Sequence, residues 1–308
     1  MHQLAYRPSH LARSLRMQRS FTIGVLVADV TAPGCPQIIQ GVLRALRARN
    51  YSALVADSEG STESEADECR RLLARHVDGC IIIPIGEVHD DMRALCHRVP
   101  CVLVGQNGAD FAACSVLPDL GGAVSVATRW LLRQGPRVAL VTHHIPSPQR
   151  ATLLQAYQRC LETARVGLDP ELICTPPPTV EGGYKTMRRL SRTEPPVNGV
   201  VTTDPQITIG MLHAWEQLPV DERPSFIGLD LGSGGNAATH KRGQLQVPHH
   251  ALGVRAVGAL AAAFTGTPPE VLTLPVAFVP PADQREDEAD APVSPHRRLP
   301  QRRRRASS

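Results

Sequence analysis

The chain has 308 residues, room for two lobes of ordinary domain size. Apolar residues make up 42% and charged residues 20%, a soluble globular balance, and no apolar run approaches the ~20 residues that span a bilayer, which excludes a membrane-spanning helix. The net charge of +4 is uneven: residues 1–20 hold Arg7, Arg13, Arg16 and Arg19 with no acid, and residues 297–305 hold six arginines with no acid. Basic ends on an acidic body point to nucleic-acid contact at the ends.

No apolar stretch with a small-residue cleavage site follows the basic start, so the chain is expected in the cytoplasm. Its eight cysteines are scattered singly, without CxxC or Cys/His ligand spacing. Buried free thiols in a reducing compartment are the plain reading, with no metal site.

The run Thr22-Ile23-Gly24-Val25-Leu26-Val27 is nearly continuous in apolar residues, as a parallel strand covered on both faces requires. Ile38, Ile39, Val42, Leu43 and Leu46 then recur at helical spacing, and Ala53–Ala56 reads as a second strand. Thr62 with Glu65 has the spacing of a capping box at the head of a second helix. Cys80–Ile83 and Val102–Val104 are the third and fourth strands.

After Asp119 the alternation restarts with a helix at Val124–Leu132, a strand at Arg137–Val141 and a long helix at about Pro148–Ala164. Leu172–Cys174 is a short strand, Glu181–Ser191 a helix, and Asn198–Thr202 and Ser225–Leu229 are strands. Leu252–Phe264 reads as a last helix and Val271–Val279 as a last strand or strand pair. The pattern predicts an α/β protein of two tandem doubly wound parallel-sheet lobes, since neither half holds enough units for an eight-stranded barrel.

The most specific string is Leu4-Ala5-Tyr6-Arg7-Pro8-Ser9-His10-Leu11-Ala12-Arg13-Ser14-Leu15, followed by Ser20-Phe21-Thr22-Ile23-Gly24-Val25. It resembles the hinge and first core strand of the lac/gal repressor family. Val77-Asp78-Gly79-Cys80-Ile81-Ile82, Leu131–Ala139 and Phe226-Ile227-Gly228-Leu229-Asp230 resemble further family segments in the same order. The likeness runs from residue 1 to about residue 280. It implies a periplasmic-binding-protein type of core behind a short hinge helix. It also implies a DNA-binding regulator, a repressor, with no enzymatic activity and no cofactor.

Four segments are expected on that basis. Residues 1–20 are hinge helix and linker; 21–117 with about 246–270 form the N-terminal lobe; 118–245 with about 271–280 form the C-terminal lobe; 281–308 are a disordered tail. The family places a helix-turn-helix headpiece ahead of the hinge, and Met1 aligns within its last helix. An upstream true start is favoured over a real truncation. Pro8 suits a helix start. Leu11, Ala12 and Leu15 give one small apolar face on a helix too short to be stable alone. The resemblance implies that paired hinge helices wedge Leu15 into a minor-groove step of operator DNA, in a homodimer, with Arg7, Arg13 and Arg16 on phosphates and Tyr6, Ser9, His10 and Ala12 in the same interface.

A small-molecule effector, a sugar or related metabolite, is expected between the lobes at the carboxyl ends of strands. Asp29, Asp57, Asp119, Asp204 and Asp230 follow strands, and a carboxylate suits hydroxyl donors because it accepts several hydrogen bonds. Each alone also fits a helix cap. Two departures from the family bear on the effector. The loop Thr31–Pro36 lacks the usual aromatic pair, and the family's ligand-gripping arginine aligns with Leu153, leaving Arg150 one turn away. Both departures weigh against ordinary hexose recognition and leave room for a less polar or acidic effector, or for a core that binds nothing. His143-His144 and His249-His250 do not form a chelating pair, since neighbours on a strand point to opposite sides. A solute-binding protein without DNA binding remains the alternative; an α/β enzyme would need a clustered catalytic set that the sequence does not show.

Overall fold

The computed structural model describes residues 19–86, 88–108, 113–143, 148–231 and 242–281. The hinge residues Tyr6, Arg7, Ser9, His10, Ala12, Arg13, Leu15 and Arg16, and the tail from residue 282, lie outside the described residues.

The elements follow in the order β1 (Thr22–Val27), α1 (Cys35–Arg47), β2 (Ser52–Asp57), α2 (Thr62–Ala74), β3 (Gly79–Ile83), α3 (Asp90–Arg98), β4 (Cys101–Val104) and β5 (Cys114–Asp119). Then come α4 (Leu120–Leu132), β6 (Val138–Val141), α5 (Pro148–Ala164), β7 (Ile173–Cys174), α6 (Val180–Leu190), β8 (Gly199–Thr202), α7 (Pro205–Glu216) and β9 (Ser225–Leu229). The described residues close with β10 (Gly243–Gln246), α8 (His249–Ala263), β11 (Val271–Pro275) and β12 (Ala277–Val279). Two six-stranded sheets result, in the orders β11-β5-β4-β3-β1-β2 and β12-β10-β9-β8-β6-β7. All pairings are parallel except β10 with β12, so the expected two-lobed α/β architecture is borne out.

Both faces of each sheet are covered. In the first lobe Ile23, Val25 and Ile81 pack under α1 and α8, while Leu26, Cys80, Ile82 and Leu103 pack under α2 and α3. In the second lobe Leu140, Val201 and Ile227 meet α4 and α5, while Val141, Val200 and Phe226 meet α6 and α7. This two-sided burial explains why these strands read as continuous apolar runs.

Three passages join the lobes: Asp119 to Leu120, the stretch between β10 and α8, and Val276 between β11 and β12. The last of these corrects the expected division, which gave 271–280 to the second lobe. Val271–Pro275 pairs with β5 in the first sheet, supplying backbone partners along an edge, and only Ala277–Val279 pairs with β10 in the second. Local pattern says nothing of which edge a strand joins. The head of α2 is a second correction. Ser61, not Thr62, is the cap, accepting from the Ser64 N–H at 3.3 Å, and Glu65 turns inward to full burial.

Each lobe contains one helix pair packed backbone to backbone. A Cβ on Gly183 or Gly210 would collide with the carbonyl of Ile207 or Val180 across the α6–α7 crossing, and Gly41 and Gly253 face His250 and Ile38 carbonyls across α1–α8 in the same way. Gly210→Ala should therefore cost about 1–3 kcal/mol by overpacking. Gly258→Ala, in α8 where a Cβ meets nothing within 4 Å, should be neutral or stabilise by about 0.4–1 kcal/mol. Urea midpoints of the two variants check both signs.

Candidate functional site

A cavity of about 510 Å³ lies where the two sheets present their carboxyl ends to each other. The first lobe contributes Ile85 and Gly86 after β3 and Gly105 and Gln106 after β4. The second contributes His143 after β6, Gln149, Thr152 and Leu153 from α5, and Thr203 and Asp204 after β8. Asp119, at the passage between lobes, lines the same space with Leu117 and Leu120. Gln149 Nε2 donates to the Gly105 carbonyl at 3.3 Å, a hydrogen bond that spans the cleft.

Of the carboxylates expected to hold a ligand, the structure brings Asp119 and Asp204 together on the cavity wall. Each also caps a helix with one oxygen: Asp119 accepts from the Gly122 N–H at 2.8 Å and Asp204 from the Ile207 N–H at 2.9 Å. A cap needs one acceptor lone pair, which leaves the rest of each carboxylate for another donor.

Asp29, Asp57, Asp230 and Arg150 do not line this cavity. Asp29 accepts from the Thr31 hydroxyl at 2.6 Å and from its N–H at 2.7 Å, and these bonds, the hydroxyl's foremost, hold its carboxyl below the ordinary value. Asp57 ties β2 to the neighbouring loop through the Val30 N–H at 3.2 Å and the Glu59 N–H at 3.0 Å. Asp230 belongs to the seam between lobes. Burial lowers the pKa of His249 and of Arg242, and the Asp230 charge opposes both shifts.

Gln106, His143, Gln149 and Thr152 were not among the expected ligand contacts. The rule that sites gather after parallel strands points to Gln106 and His143, but a search weighted towards carboxylates passes over neutral side chains. Leu153 is 3% exposed and packs in the second-lobe core with Tyr157, whose hydroxyl donates to the Val138 carbonyl at 2.7 Å. An apolar side chain thus stands where the resemblance places an arginine. No lysine or arginine lines the cavity among the described residues.

The wall at Ile85 is held from behind. The fully buried Glu65 accepts from the Ile85 N–H at 3.0 Å and lies 3.2 Å from His89 Nε2. His89 Nδ1 in turn accepts from the Met92 N–H at 3.3 Å as the cap of α3, so Nε2 carries the ring proton and donates to Glu65. Burial raises the Glu65 pKa, against the opposing pull of Ile85 and His89. Among the described residues no cluster of His, Cys, Asp or Glu is arranged to hold a metal ion, and no helix is long and apolar enough to cross a membrane.

Because folding makes Glu65 keep its proton to higher pH, the folded chain carries an extra proton between the ordinary carboxylate value and the raised one. This group's contribution to stability therefore falls as pH rises through that window. Glu65→Gln should flatten that part of the curve, measured by urea unfolding from about pH 4 to about pH 8. An unchanged slope would show that another group titrates there.

No protein-family model matches the chain. Among curated proteins it is similar to the ribose operon repressor of Escherichia coli strain K12, 28% identical over 236 residues that cover 74% of this chain and 71% of that one. It is also similar to catabolite control protein A of Staphylococcus epidermidis, 26% identical over 215 residues, 69% of this chain and 64% of that protein. The chain thus matches less than two thirds of the Staphylococcus protein's length. Among solved structures, a putative ribose operon repressor from Burkholderia thailandensis superposes with a TM-score of 0.75 at 20% identity, covering 85% of this chain and 100% of that one. The Cra transcriptional dual regulator from Pseudomonas putida, in complex with fructose 1-phosphate, gives 0.71 at 20% identity, with 84% and 98% covered. These structures share the fold, and the sequence similarity to the two curated proteins, at 26–28% identity, covers 69–74% of the chain.

Proposed function

We propose that this chain is a transcriptional regulator, a repressor acting on operator DNA as a cytoplasmic homodimer, whose DNA binding is set by a small molecule held between its lobes. The observation that carries the reading is the cavity at the facing strand ends, walled by both lobes and by the passage at Asp119. A ligand touching both walls binds one relative setting of the lobes better than another, which is the differential affinity that a switch requires. The related proteins are named as repressors or control proteins, in keeping with a binding protein and not an enzyme.

The wall chemistry narrows the effector. Ile85, Leu117, Leu120 and Leu153 offer apolar surface, and Gln106, Gln149, Thr152 and Thr203 offer neutral hydrogen-bonding groups. The charged side chains on the described wall are Asp119 and Asp204, which attract hydroxyl or amine donors and repel a phosphate or carboxylate. The effector is therefore uncharged or cationic, with a partly apolar body, unlike the fructose 1-phosphate of the Pseudomonas protein.

Thermal-shift screening of neutral sugars and nucleosides beside their phosphorylated forms tests this. A neutral ligand at about 100 times its Kd should stabilise by about 2.7 kcal/mol. Asp204→Asn, which retains an acceptor for the α7 cap, should weaken that ligand by about tenfold or more. Stabilisation by phosphorylated compounds alone would overturn the effector class. Gel-shift assays on DNA flanking the chain's own gene, with this chain and with an upstream-extended form, test the regulator itself. A specific complex whose affinity changes with the ligand is expected; binding by neither form, with or without ligand, counts against it.

A further inference from the structure

Four of the eight cysteines, scattered in sequence, meet in one region of the first lobe. Cys80 in β3 and Cys101 at the start of β4 are direct register partners on adjacent parallel strands. Both point into the core under α2 and α3, where Cys69 packs with them and Cys96 of α3 closes over the cluster. Cys69, Cys80 and Cys101 are buried, and Cys96 is the one cysteine of the eight that is partly exposed. Solvent thus reaches this group of sulfurs through Cys96.

The Cys101 S–H donates to the Val99 carbonyl at 3.4 Å, and its side chain interacts with those of Cys80 and Cys96 in the same cluster. Interaction with the neighbouring Cys101 side chain holds the Cys96 thiol below the ordinary cysteine value, against the opposing effect of burial. The buried neighbours move the other way: desolvation pushes Cys69 up to about 12, and interaction with Cys80 and Cys96, together with burial, pushes Cys101 well up. The accessible sulfur is the one favoured as thiolate, and a protonated thiol stands beside it. Reactive cysteines follow thiolate character and access in this way.

We propose that Cys96 and Cys101 form a redox-active thiol pair, converted by hydroperoxides into an intramolecular disulfide. The Cys96 thiolate attacks one peroxide oxygen; the O–O bond breaks, hydroxide leaves, and Cys96 becomes the sulfenic acid. The Cys101 sulfur then attacks the Cys96 sulfur. The S–S bond forms as the S–O bond breaks, and the hydroxyl leaves with the Cys101 proton as water. In sum two thiols and one hydrogen peroxide give one disulfide and two waters, the peroxide being reduced. The bond ties α3 to the first residue of β4, the strand that leads to Gly105 and Gln106 on the cavity wall. This proposal stands independently of the effector and of DNA binding.

The test treats the full-length reduced chain with a few equivalents of hydrogen peroxide, counts thiols after unfolding, and maps tryptic peptides without reduction. The expected result is loss of two of the eight thiols, restored by dithiothreitol, with peptide 94–98 linked to peptide 99–129 through Cys96 and Cys101. Cys96→Ala changes a partly exposed position and should protect all remaining thiols at the same dose. In Cys101→Ser, Cys96 should instead be trapped as a sulfenic acid by dimedone; should that buried variant not fold, Cys96→Ala still decides the matter. Equal thiol loss in Cys96→Ala, linkage between two molecules, or irreversible oxidation of Cys96 with no linked peptide overturns the proposal.

Discussion

A parallel strand cannot be joined to its neighbour by a tight turn; the chain must cross back over the sheet first. Nearly every pairing here obeys that constraint, and much of the rest follows from it. Most of the crossovers are helices, so both faces of each sheet are covered and the central strands are apolar. Strands that run the same way also deliver their following loops to the same edge. With two such sheets facing each other, loops after β3, β4, β6 and β8 converge on one space, although the residues come from 84 to 204 in sequence.

The constraint also explains how much could be read without coordinates. The strands β1, β3, β8 and β9 are buried on both faces and stand out as apolar runs. By contrast, β5 ends in Pro118-Asp119 and β11 alternates exposed and half-buried residues, and neither has a clear signature. The division of 271–280 between sheets was illegible because pairing partners are chosen by edges far away in sequence. Helix α7 was not read from the sequence, since Gly210 weakens a pattern that tertiary contact with α6 completes.

The site was legible in outline. Strand ends pointed to carboxylates, and Asp119 and Asp204 do reach the cavity. Asp29 and Asp57 obey the same local rule yet spend their hydrogen bonds within their own loops. Sequence cannot separate these cases, because capping, loop closure and ligand contact all ask for the same side chain. Glu65 makes the point from the other side. Its spacing from Thr62 suggests a solvent-facing cap, whereas the fold turns it inward to hold Ile85. The thiol cluster was equally hidden: Cys69, Cys80, Cys96 and Cys101 look unrelated until β3 and β4 are laid side by side.

The bond from Gln149 to the Gly105 carbonyl is a neutral amide contact between the two lobes. A net hydrogen bond of that kind contributes about 0.5–1.5 kcal/mol. Breaking it shifts the balance between apposed and parted lobes by about two- to tenfold. On the proposed reading, in which the lobes also part, a clasp of that strength would yield to a ligand of modest affinity. A charged clasp buried at the same place would demand a far tighter ligand before the molecule could respond.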